Sequence, residues 1–345
     1  MKSIFNWKRF VAVFMAIMLL AACKPVTKEE NVEPKKVETS EQESSESKEE
    51  KKEDKKEEKK EEDKEEKGAE SGKIEFTDMA GNQVSLDAPI KKIVVLTPSD
   101  CEILYAIGAG DNVIGRGTYC DYPEEVKSVK ELTSGKDTNI EEIIALEPDA
   151  VVMSMMSQTE DHVKALEKAG IKVIVSDATS IEQVYQAIQM IGKATGKEGA
   201  AENLIKEMQS TFEEYKKKAE GKEGGNIYYE VSPLEYGLWT AGNSTFMDEI
   251  GNIIGVKNVF ADVKGWSEIS EEQIIERNPD HIVTITMYFG EGPKPDEEIL
   301  GRNGWGDITA IKNKSVFMAN ADEFSRPGPR LKEAVKVLYD FIYNE

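Results

Sequence analysis

A short segment occurs twice in this chain, and it constrains the fold more than any other feature of the sequence. Residues 139–149 read NIEEIIALEPD and residues 270–280 read SEEQIIERNPD, and an apolar run follows each copy. Each copy begins with a good N-cap residue and has an acid or amide three positions later, which is the pattern of a capping box. Pro148 and Pro279 end the helices before the apolar runs. Two such units in the two halves of the chain predict two lobes of similar build with a cleft between them.

Elsewhere in residues 73–345, apolar strand-like runs alternate with segments of helical periodicity. This alternation is typical of α/β proteins, whose parallel sheets carry helices on both faces. We predict an α/β fold of two Rossmann-like lobes with parallel sheets, joined by a long rigid helix. The predicted parts are the first lobe at 73–196, the linking helix at 197–220 and the second lobe at 221–345. Because ligands of open α/β sheets bind beyond the carboxyl ends of the strands, the cleft between the lobes is the expected binding site.

The N-terminus has the layout of a secretory signal. Lys2, Lys8 and Arg9 precede an uncharged run over residues 10–20. The run is shorter than the roughly 20 residues that a membrane-spanning helix needs. It ends in Leu-Ala-Ala before Cys23, which resembles the bacterial lipoprotein signal, in which the cysteine is lipidated. We therefore expect a signal peptide with its lipobox at 1–23, acyl chains such as palmitate on Cys23, and an extracytoplasmic protein anchored to the cell membrane.

Residues 24–72 are predicted to form a charged low-complexity tether. Residues 27–72 contain 12 Lys against 19 Asp or Glu and no aromatic side chain. This composition buries too little apolar surface to offset the entropy lost on ordering. Acidic and basic residues at i,i+4 over residues 48–67 also permit a solvated single helix. In either form, the segment spaces the folded part from the membrane.

The formal net charge of −22 is carried mainly by the folded part. The first 24 residues contribute +4 and residues 27–72 contribute −7, so that residues 73–345 carry −19. A folded part with this much negative charge is not expected to bind nucleic acid or anionic lipid surfaces. It is consistent with docking onto basic residues of a protein partner.

Several motifs resemble those of one family of binding proteins. They are YCDYP at 119–123, NIE at 139–141, DATSIEQ at 177–183, Trp266 with SEEQ at 270–273, and FSR at 324–326 before Pro329-Arg330. With these motifs, residues 73–345 resemble the class III substrate-binding lipoproteins of bacterial ABC importers, which bind vitamin B12, ferric siderophores or haem. The vitamin B12-binding branch is the most similar. The resemblance implies a monomer that holds its ligand between two lobes and delivers it to a permease dimer with its ATPase.

The resemblance also implies roles for individual residues. Tyr119 would contact a corrinoid, and residues 322–326 would form the ligand loop of the second lobe. The residues expected to bind the ligand are Tyr119, Tyr122, Trp239, Tyr288, Asp322, Glu323, Phe324, Ser325, Arg326 and Arg330. Glu141 and Glu272, at equivalent positions of the two repeats, would dock onto arginines of the permease.

The chemistry of these side chains leaves the ligand open. Aromatic faces suit a corrin or porphyrin, which is a broad and partly apolar plate. The guanidinium groups of Arg326 and Arg330 suit the acidic groups of a siderophore or the propionates of haem equally well. The expected cargo is therefore a cobalt corrinoid, with a ferric siderophore or haem as the alternative. A lipoprotein sensor or adhesin is the remaining alternative.

An enzyme is not expected, because the chain shows no P-loop, no nucleophile elbow and no zinc-type Cys/His spacing. No resident cofactor or metal is expected either, and two histidines are too few for a receptor of bare Zn²⁺ or Mn²⁺. His162, Met155 and Met156 are candidate ligands of a haem iron. Cys101 and Cys120 follow the first two strands of the first lobe, where either a disulfide or two free thiols fit the sequence.

Overall fold

A computed structural model describes residues 73–156 and 158–344. The predicted signal peptide at 1–23, the lipidation site Cys23 and the tether at 24–72 lie outside the described residues. Within the described ranges, no helix is long and apolar enough to cross a membrane.

The first sheet is parallel throughout, with its five strands in the order β5-β4-β3-β6-β7. The strands are β3 (Ile93–Val95), β4 (Val113–Gly117), β5 (Glu131–Leu132), β6 (Ala150–Met153) and β7 (Lys172–Val175). The central strands β3 and β6 are buried at every residue, as expected of a parallel sheet that is covered on both faces. The predicted alternation of strands and helices is confirmed for this lobe.

The second sheet is mixed, in the order β11-β9-β8-β12-β13 with β10 beside β8. Its strands are β8 (Asn226–Ser232), β9 (Trp239–Ala241), β10 (Lys257–Asn258), β11 (Trp266–Glu268), β12 (His281–Thr284) and β13 (Val316–Met318). β9 is antiparallel to both β8 and β11, so the prediction of a parallel sheet is wrong at this edge. Only a short 3₁₀ turn at Leu234–Tyr236 joins β8 to β9, and a parallel pairing would need a much longer crossover.

Helices cover both sheets. Those of the first lobe are α1 (Pro98–Ala106), α2 (Ile140–Ile144), α3 (Glu160–Lys168) and α4 (Ile181–Thr195). After the connecting helix α5 (Glu198–Ala219), the second lobe adds α6 (Phe246–Ile253), α7 (Glu271–Arg277), α8 (Pro295–Leu300), α9 (Thr309–Lys312), α10 (Ala321–Ser325) and α11 (Leu331–Tyr343). Two further 3₁₀ turns lie at Gly110–Asn112 and Glu124–Ser128.

The connecting helix α5 is 22 residues long and is packed into the core. Gly196 ends α4 with a left-handed backbone (φ 69°), a conformation that glycine adopts without strain. One continuous apolar core includes Ile93 of the first sheet, Leu204 and Met208 of α5, and Ile227 of the second sheet. Because the core runs through the connection, α5 is a packed element rather than a free linker. The lobe boundaries at 197 and 220 stay a prediction.

A small antiparallel hairpin precedes the first sheet and is not predicted from the sequence. It consists of β1 (Ile74–Thr77) and β2 (Gln83–Leu86). The Asp78 carboxylate accepts hydrogen bonds from the backbone N–H groups of Asn82 at 2.8 Å and Val175 at 3.1 Å. Since Val175 belongs to the edge strand β7, the hairpin covers part of an otherwise open sheet edge.

The aspartates at the ends of the two repeats have equivalent roles. Asp149 accepts hydrogen bonds from the backbone N–H groups of Lys91 at 2.7 Å and Lys92 at 2.9 Å. Asp280 accepts one from the N–H group of Asn226 at 2.9 Å. Each aspartate therefore ties the start of the strand that follows it to the start of the first strand of its sheet, β3 or β8. This shared role explains why an aspartate ends both copies of the repeat.

The helix starts of the two repeats differ. Ser270 and Gln273 form a complete capping box at α7. At α2, the side chain of Asn139 accepts from the N–H group of Glu142 at 3.2 Å, but the Glu142 carboxylate pairs with Lys130 at 3.0 Å. The predicted capping box is therefore only half formed in the first copy, because a neighbouring cation takes the carboxylate.

Candidate ligand-binding cleft

The carboxyl ends of the strands in the two sheets meet at one place in the molecule. The five strands of the first sheet all end at the same edge because they are parallel. In the second sheet, β8, β12 and β13 end at one edge, and β9 begins there, since Trp239 pairs with Ser232 at the end of β8. Ion pairs join residues after β3 and β4 to residues after β13. The space bounded by these two edges is referred to below as the cleft.

Large exposed apolar side chains are concentrated at these edges. In the described part of the chain, all such side chains except Ile275 lie in loops that directly follow β4, β6, β8 or β12. They are Tyr119, Tyr122, Met156, Leu234, Met287, Tyr288 and Phe289. Tyr119 is 49% exposed and Phe289 is 63% exposed. Single exposed apolar residues are common on proteins, but their concentration along one edge is typical of a binding surface.

The structure places the four aromatic residues Tyr119, Tyr122, Trp239 and Tyr288 at the edges of the cleft, two on each lobe. Trp239 is half-buried at the first residue of β9. Met287 and Phe289 are outside the ten residues expected to bind the ligand, although they flank Tyr288 and are more exposed than it, at 65% and 63% against 36%. The signal for them in the sequence is a run of three large apolar residues shortly after a buried strand, where a surface loop is expected.

Glu102 of α1 lies at the centre of a charged cluster where the lobes meet. Its Oε2 accepts from Nε of Arg330 at 2.9 Å, and its Oε1 accepts from Nη2 of the same residue at 2.6 Å. Arg326 donates from Nη1 to Oε1 of Glu102 at 3.1 Å. The Glu102 side chain is only 2% exposed. A buried carboxylate held by two guanidinium groups is among the stronger arrangements of hydrogen-bonded charge.

Two further carboxylates complete this group. Arg326 contacts Asp121 through Nη1 at 3.0 Å and Asp322 through Nη2 at 2.9 Å. The guanidinium carbon of Arg330 lies 4.3 Å from the centre of the Tyr122 ring, which is cation–π geometry. The interlobe cluster comprises Glu102, Asp121, Asp322, Arg326 and Arg330. The pairing of Glu102 and Asp121 with the arginines is not predicted from the sequence, because the partners are more than 200 positions away in the chain and no local pattern signals it.

Phe324 does not lie in the cleft. It is completely buried in the core on the inward face of α10, so it offers no surface to a ligand, contrary to the prediction. Ser325 and Glu323 are half-buried. The Ser325 hydroxyl donates to the backbone oxygen of Ala321 at 2.7 Å, and Glu323 accepts from the amide of Asn320 at 3.1 Å. Both side chains thus already have partners on or beside their own short helix.

The first turn of α1 buries a carboxyl group beneath the edge of the first sheet. Burial raises the pKa of Asp100 to about 7, and the negative charge of Asp177 adds to the shift. The hydroxyls of Ser176 and Thr97 oppose the shift, although neither forms a hydrogen bond of normal geometry with the carboxylate. A substantial fraction of Asp100 is therefore protonated at neutral pH.

Cys101 and Cys120 are both free and buried, which decides between the two alternatives left by the sequence. The Cys120 thiol contacts the backbone oxygen of Val95 at 3.6 Å, and the Cys101 thiol contacts that of Tyr122 at 3.8 Å. The hydrogen bond to Cys120 and burial both raise the pKa of the Cys101 thiol. Cys101 is therefore not a reactive thiolate.

Glu141 and Glu272 occupy matching positions on the two lobes. Each lies in the first turn of its helix, α2 or α7, and each is exposed. Both helices begin at the carboxyl edge of a sheet, because α2 follows β5 and α7 follows β11. A hydrogen bond to the backbone N–H lowers the pKa of Glu272, so that it is ionised at neutral pH.

Both histidines contact polar side chains. Nδ1 of His162 contacts the amide oxygen of Gln158 at 2.9 Å at the start of α3. Nδ1 of His281 contacts the hydroxyl of Ser315 at 2.6 Å, at the start of β12 and so at the edge opposite the cleft. Across residues 73–156 and 158–344, no group of three or more His, Cys, Asp or Glu side chains is arranged to hold a metal ion.

A separate concavity of about 530 Å³ lies within the second lobe. Leu234, Glu271 and Arg302 are among the residues that line it, and none of the lining residues belongs to the first lobe. The guanidinium group of Arg302 pairs with both carboxylate oxygens of Glu230, at 2.6 and 2.8 Å. The concavity is therefore lined by the second lobe alone, shares Leu234 with the exposed apolar residues at the cleft edge, and includes Arg302 of a buried ion pair.

Comparison with known proteins places this geometry in context. A family model described as periplasmic binding protein matches residues 93–323. The chain is 40% identical over 276 residues to the uncharacterized ABC transporter substrate-binding lipoprotein YvrC of Bacillus subtilis (strain 168), a match that covers 78% of this chain and 85% of that protein. It is 30% identical over 252 residues to the vitamin B12-binding protein of Salmonella paratyphi A, covering 72% of this chain and 88% of that protein.

Among solved structures, a possible iron-binding (periplasmic solute-binding) protein from Staphylococcus epidermidis has the same fold. It is 33% identical, with a TM-score of 0.66, and the match covers 74% of this chain and 100% of that one.

Proposed function

The chain belongs to the periplasmic binding protein family, and we propose that it binds a corrinoid in the cleft and delivers it to an ABC importer. The family match confirms the resemblance read from the sequence motifs. Members of this family are substrate-binding components of importers for iron complexes, haem or vitamin B12, and they are not enzymes. Our proposal is that, among these classes of ligand, this protein binds a corrinoid.

The observation that carries the proposal is the aromatic and apolar lining on both sides of the cleft. Tyr119 and Tyr122 lie on one side, and Trp239, Tyr288 and Phe289 lie on the other. A corrin ring is a broad plate with two partly apolar faces, so aromatic side chains from two lobes can cover both faces. The relative that is named a vitamin B12-binding protein supports the same choice.

A binding titration tests the ligand. The purified protein is titrated with cyanocobalamin, haemin and several ferric siderophores, and ligand absorbance and tryptophan fluorescence are followed. Saturable binding of cyanocobalamin alone is the expected result, with a fluorescence change because Trp239 lies at the cleft edge. Saturable binding of haemin or a siderophore without cyanocobalamin would refute the corrinoid proposal and leave the transport role intact.

A ferric complex is the second candidate, because the similar protein from Staphylococcus epidermidis is described as possibly iron-binding. Arg326 and Arg330 are the residues that would then hold acidic groups of the ligand. The same titration separates the two candidates.

We further propose that Glu141 and Glu272 dock onto basic residues of the permease. Two exposed carboxylates at matching positions of two similar lobes suit a partner with two-fold symmetry. Since the core is continuous through α5, lobe motion is expected to be modest, and contact with the permease at these two sites is expected to drive release.

Replacing both glutamates with alanine should abolish uptake by cells and leave ligand affinity unchanged. The matched control is Glu167→Ala with Glu276→Ala, which removes two exposed helical carboxylates elsewhere on the lobes. Wild-type uptake in the Glu141/Glu272 variant would sink the docking proposal. Equal loss of uptake in the control would assign the effect to total charge.

Anchoring through Cys23 is also a proposal, supported by the lipoprotein name of the Bacillus relative. Fractionation of cells that express the protein, followed by mass analysis of the mature N-terminal peptide, tests it. A membrane-associated protein with an acylated N-terminal cysteine is expected. Release into the medium with an unmodified N-terminus would contradict it.

A further inference from the structure

The two arginines expected to grip a ligand are already engaged. Arg330 uses Nε and Nη2 on the two oxygens of Glu102, at 2.9 and 2.6 Å. This is the forked arrangement with which an arginine would otherwise clamp a ligand carboxylate. Arg326 uses Nη1 on Glu102 and Asp121 and Nη2 on Asp322. The two arginine side chains are only 12% and 15% exposed, so few donors face the cleft.

The charge balance of the interlobe cluster also disfavours an anion. Two guanidinium groups face three carboxylates, so the cluster carries a formal charge of −1. An anionic ligand that took over the arginines would have to displace Glu102, whose side chain is 2% exposed. A buried carboxylate that has lost its partners is strongly destabilising. An uncharged ligand meets neither obstacle.

We propose that Glu102 determines the charge class of the ligand: by occupying Arg326 and Arg330, it restricts the cleft to uncharged or cationic metal complexes and excludes polyanionic ones. This inference rests on the proposed function, because it concerns selection at the same cleft. A corrinoid such as cyanocobalamin has no net charge, and neither does a ferric trihydroxamate. A ferric tricatecholate is an anion because the phenolate oxygens around its iron carry more negative charge than Fe³⁺ balances, and haemin carries negative charge on its propionates.

A purely structural role for the cluster is the competing explanation. Glu102 belongs to the first lobe and the two arginines belong to the second, so the same contacts also hold the lobes together. Loss of a structural contact would weaken the binding of all ligands. Loss of a selectivity residue would shift the preference toward anions, and the ratio of affinities therefore separates the two roles.

The test uses the full-length protein in detergent and four probes: cyanocobalamin, a neutral ferric trihydroxamate, a ferric tricatecholate and haemin. In Glu102→Gln, the uncharged amide releases the arginines and keeps the side-chain size. The affinity for the tricatecholate, relative to that for the neutral probe that binds best, should rise at least about tenfold, the effect of one charge-assisted hydrogen bond. Adding Arg326→Gln and Arg330→Gln to the same protein should remove the gain.

Asp262→Asn is the matched control. Asp262 accepts a forked pair of hydrogen bonds from Arg277, at 2.5 and 2.9 Å, at the edge of the second sheet opposite the cleft. Its loss should leave the ratio of affinities unchanged. If Glu102→Gln does not fold, Glu102→Met provides the same test, because it also removes the carboxylate and fills a similar volume.

A wild-type protein that binds the tricatecholate as tightly as the best neutral probe would overturn the inference. So would a folded Glu102→Gln or Glu102→Met variant with no gain toward the anion. Binding of the neutral trihydroxamate but not cyanocobalamin, with the gain in Glu102→Gln, would refute the corrinoid proposal and support the role of Glu102. The two proposals therefore fail separately.

Discussion

Replacing Arg302 with methionine should lower the free energy of unfolding by about 3–5 kcal/mol at pH 8, the typical effect of breaking a buried ion pair from one side. The side chains of Arg302 and Glu230 are 2% and 1% exposed. Without the guanidinium group, the Tyr228 hydroxyl, at 3.3 Å, is the one hydrogen-bond partner of the Glu230 carboxylate among the described residues. Methionine fills much of the volume of the arginine stem, so the expected loss comes mainly from the unpaired charge.

The loss should depend on pH. Burial raises the pKa of Glu230 in the wild-type protein, and Arg302 opposes that shift. Removing Arg302 raises the folded-state pKa further above its value in the unfolded chain. A carboxyl group with a raised folded-state pKa binds more protons when folded, so its contribution to stability falls as pH rises. The deficit relative to wild type is therefore expected to be largest at pH 8 and smaller at pH 5.

Urea and thermal unfolding at pH 5 and pH 8 measure both effects. In a domain of this size, 1 kcal/mol shifts Tm by about 2–4 °C, so a decrease of at least about 6 °C is expected at pH 8. Arg277→Met is the control, because its partner Asp262 is 63% exposed and surface pairs contribute only about 0–1 kcal/mol. Adding Glu230→Gln to Arg302→Met should restore most of the loss. A deficit no larger than that of Arg277→Met, or one that is equal at pH 5 and pH 8, would refute the reasoning.

Two further predictions concern the first lobe. Tyr119→Ala should weaken cyanocobalamin binding about tenfold or more, because burial of an aromatic side chain against a ligand contributes about 1.5–3 kcal/mol. The binding titration measures this loss, with Ile275→Ala as the control at another exposed position. An unchanged affinity would show that Tyr119 does not contact the ligand. Asp100→Asn should flatten the pH dependence of stability. With a pKa of about 7 against the ordinary 3.8, wild-type Asp100 contributes stability that is lost as pH rises between those values, by up to about 4 kcal/mol. Urea unfolding at pH 4.5 and 7.5 measures the difference, and equal pH slopes for the two proteins would contradict this prediction.

Sequence reasoning succeeded where a feature is local. The repeat ending in Asp149 and Asp280 correctly predicted a helix followed by a buried strand in each half of the chain. The same pattern placed Glu141 and Glu272 in the first turns of two equivalent helices. Caps, prolines and apolar periodicity act over a few residues, so a single sequence is enough to predict these helices and strands. The motifs that identified the family are likewise short segments.

Predictions that depended on side-chain orientation were less successful. Phe324 belongs to a family motif, yet α10 turns its ring into the core, and a helix of five residues shows too little periodicity to reveal which face is buried. The antiparallel strand β9 was missed because three residues cannot show their direction in a sheet. Neither outcome follows from composition or from spacing.

By itself, the sequence determined the alternation of strands and helices, the two-lobed plan, the aromatic residues beyond the strand ends and the family. The tertiary structure alone decided what the charged residues contact. From the sequence, Arg326 and Arg330 are expected to be cationic groups available to a ligand. In the fold, both form ion pairs with Glu102, which is more than 200 residues away in the chain. Local elements depend on backbone propensity and capping within a few residues. The partner of a buried charge depends instead on which side chains the packing of the two lobes brings into hydrogen-bond distance.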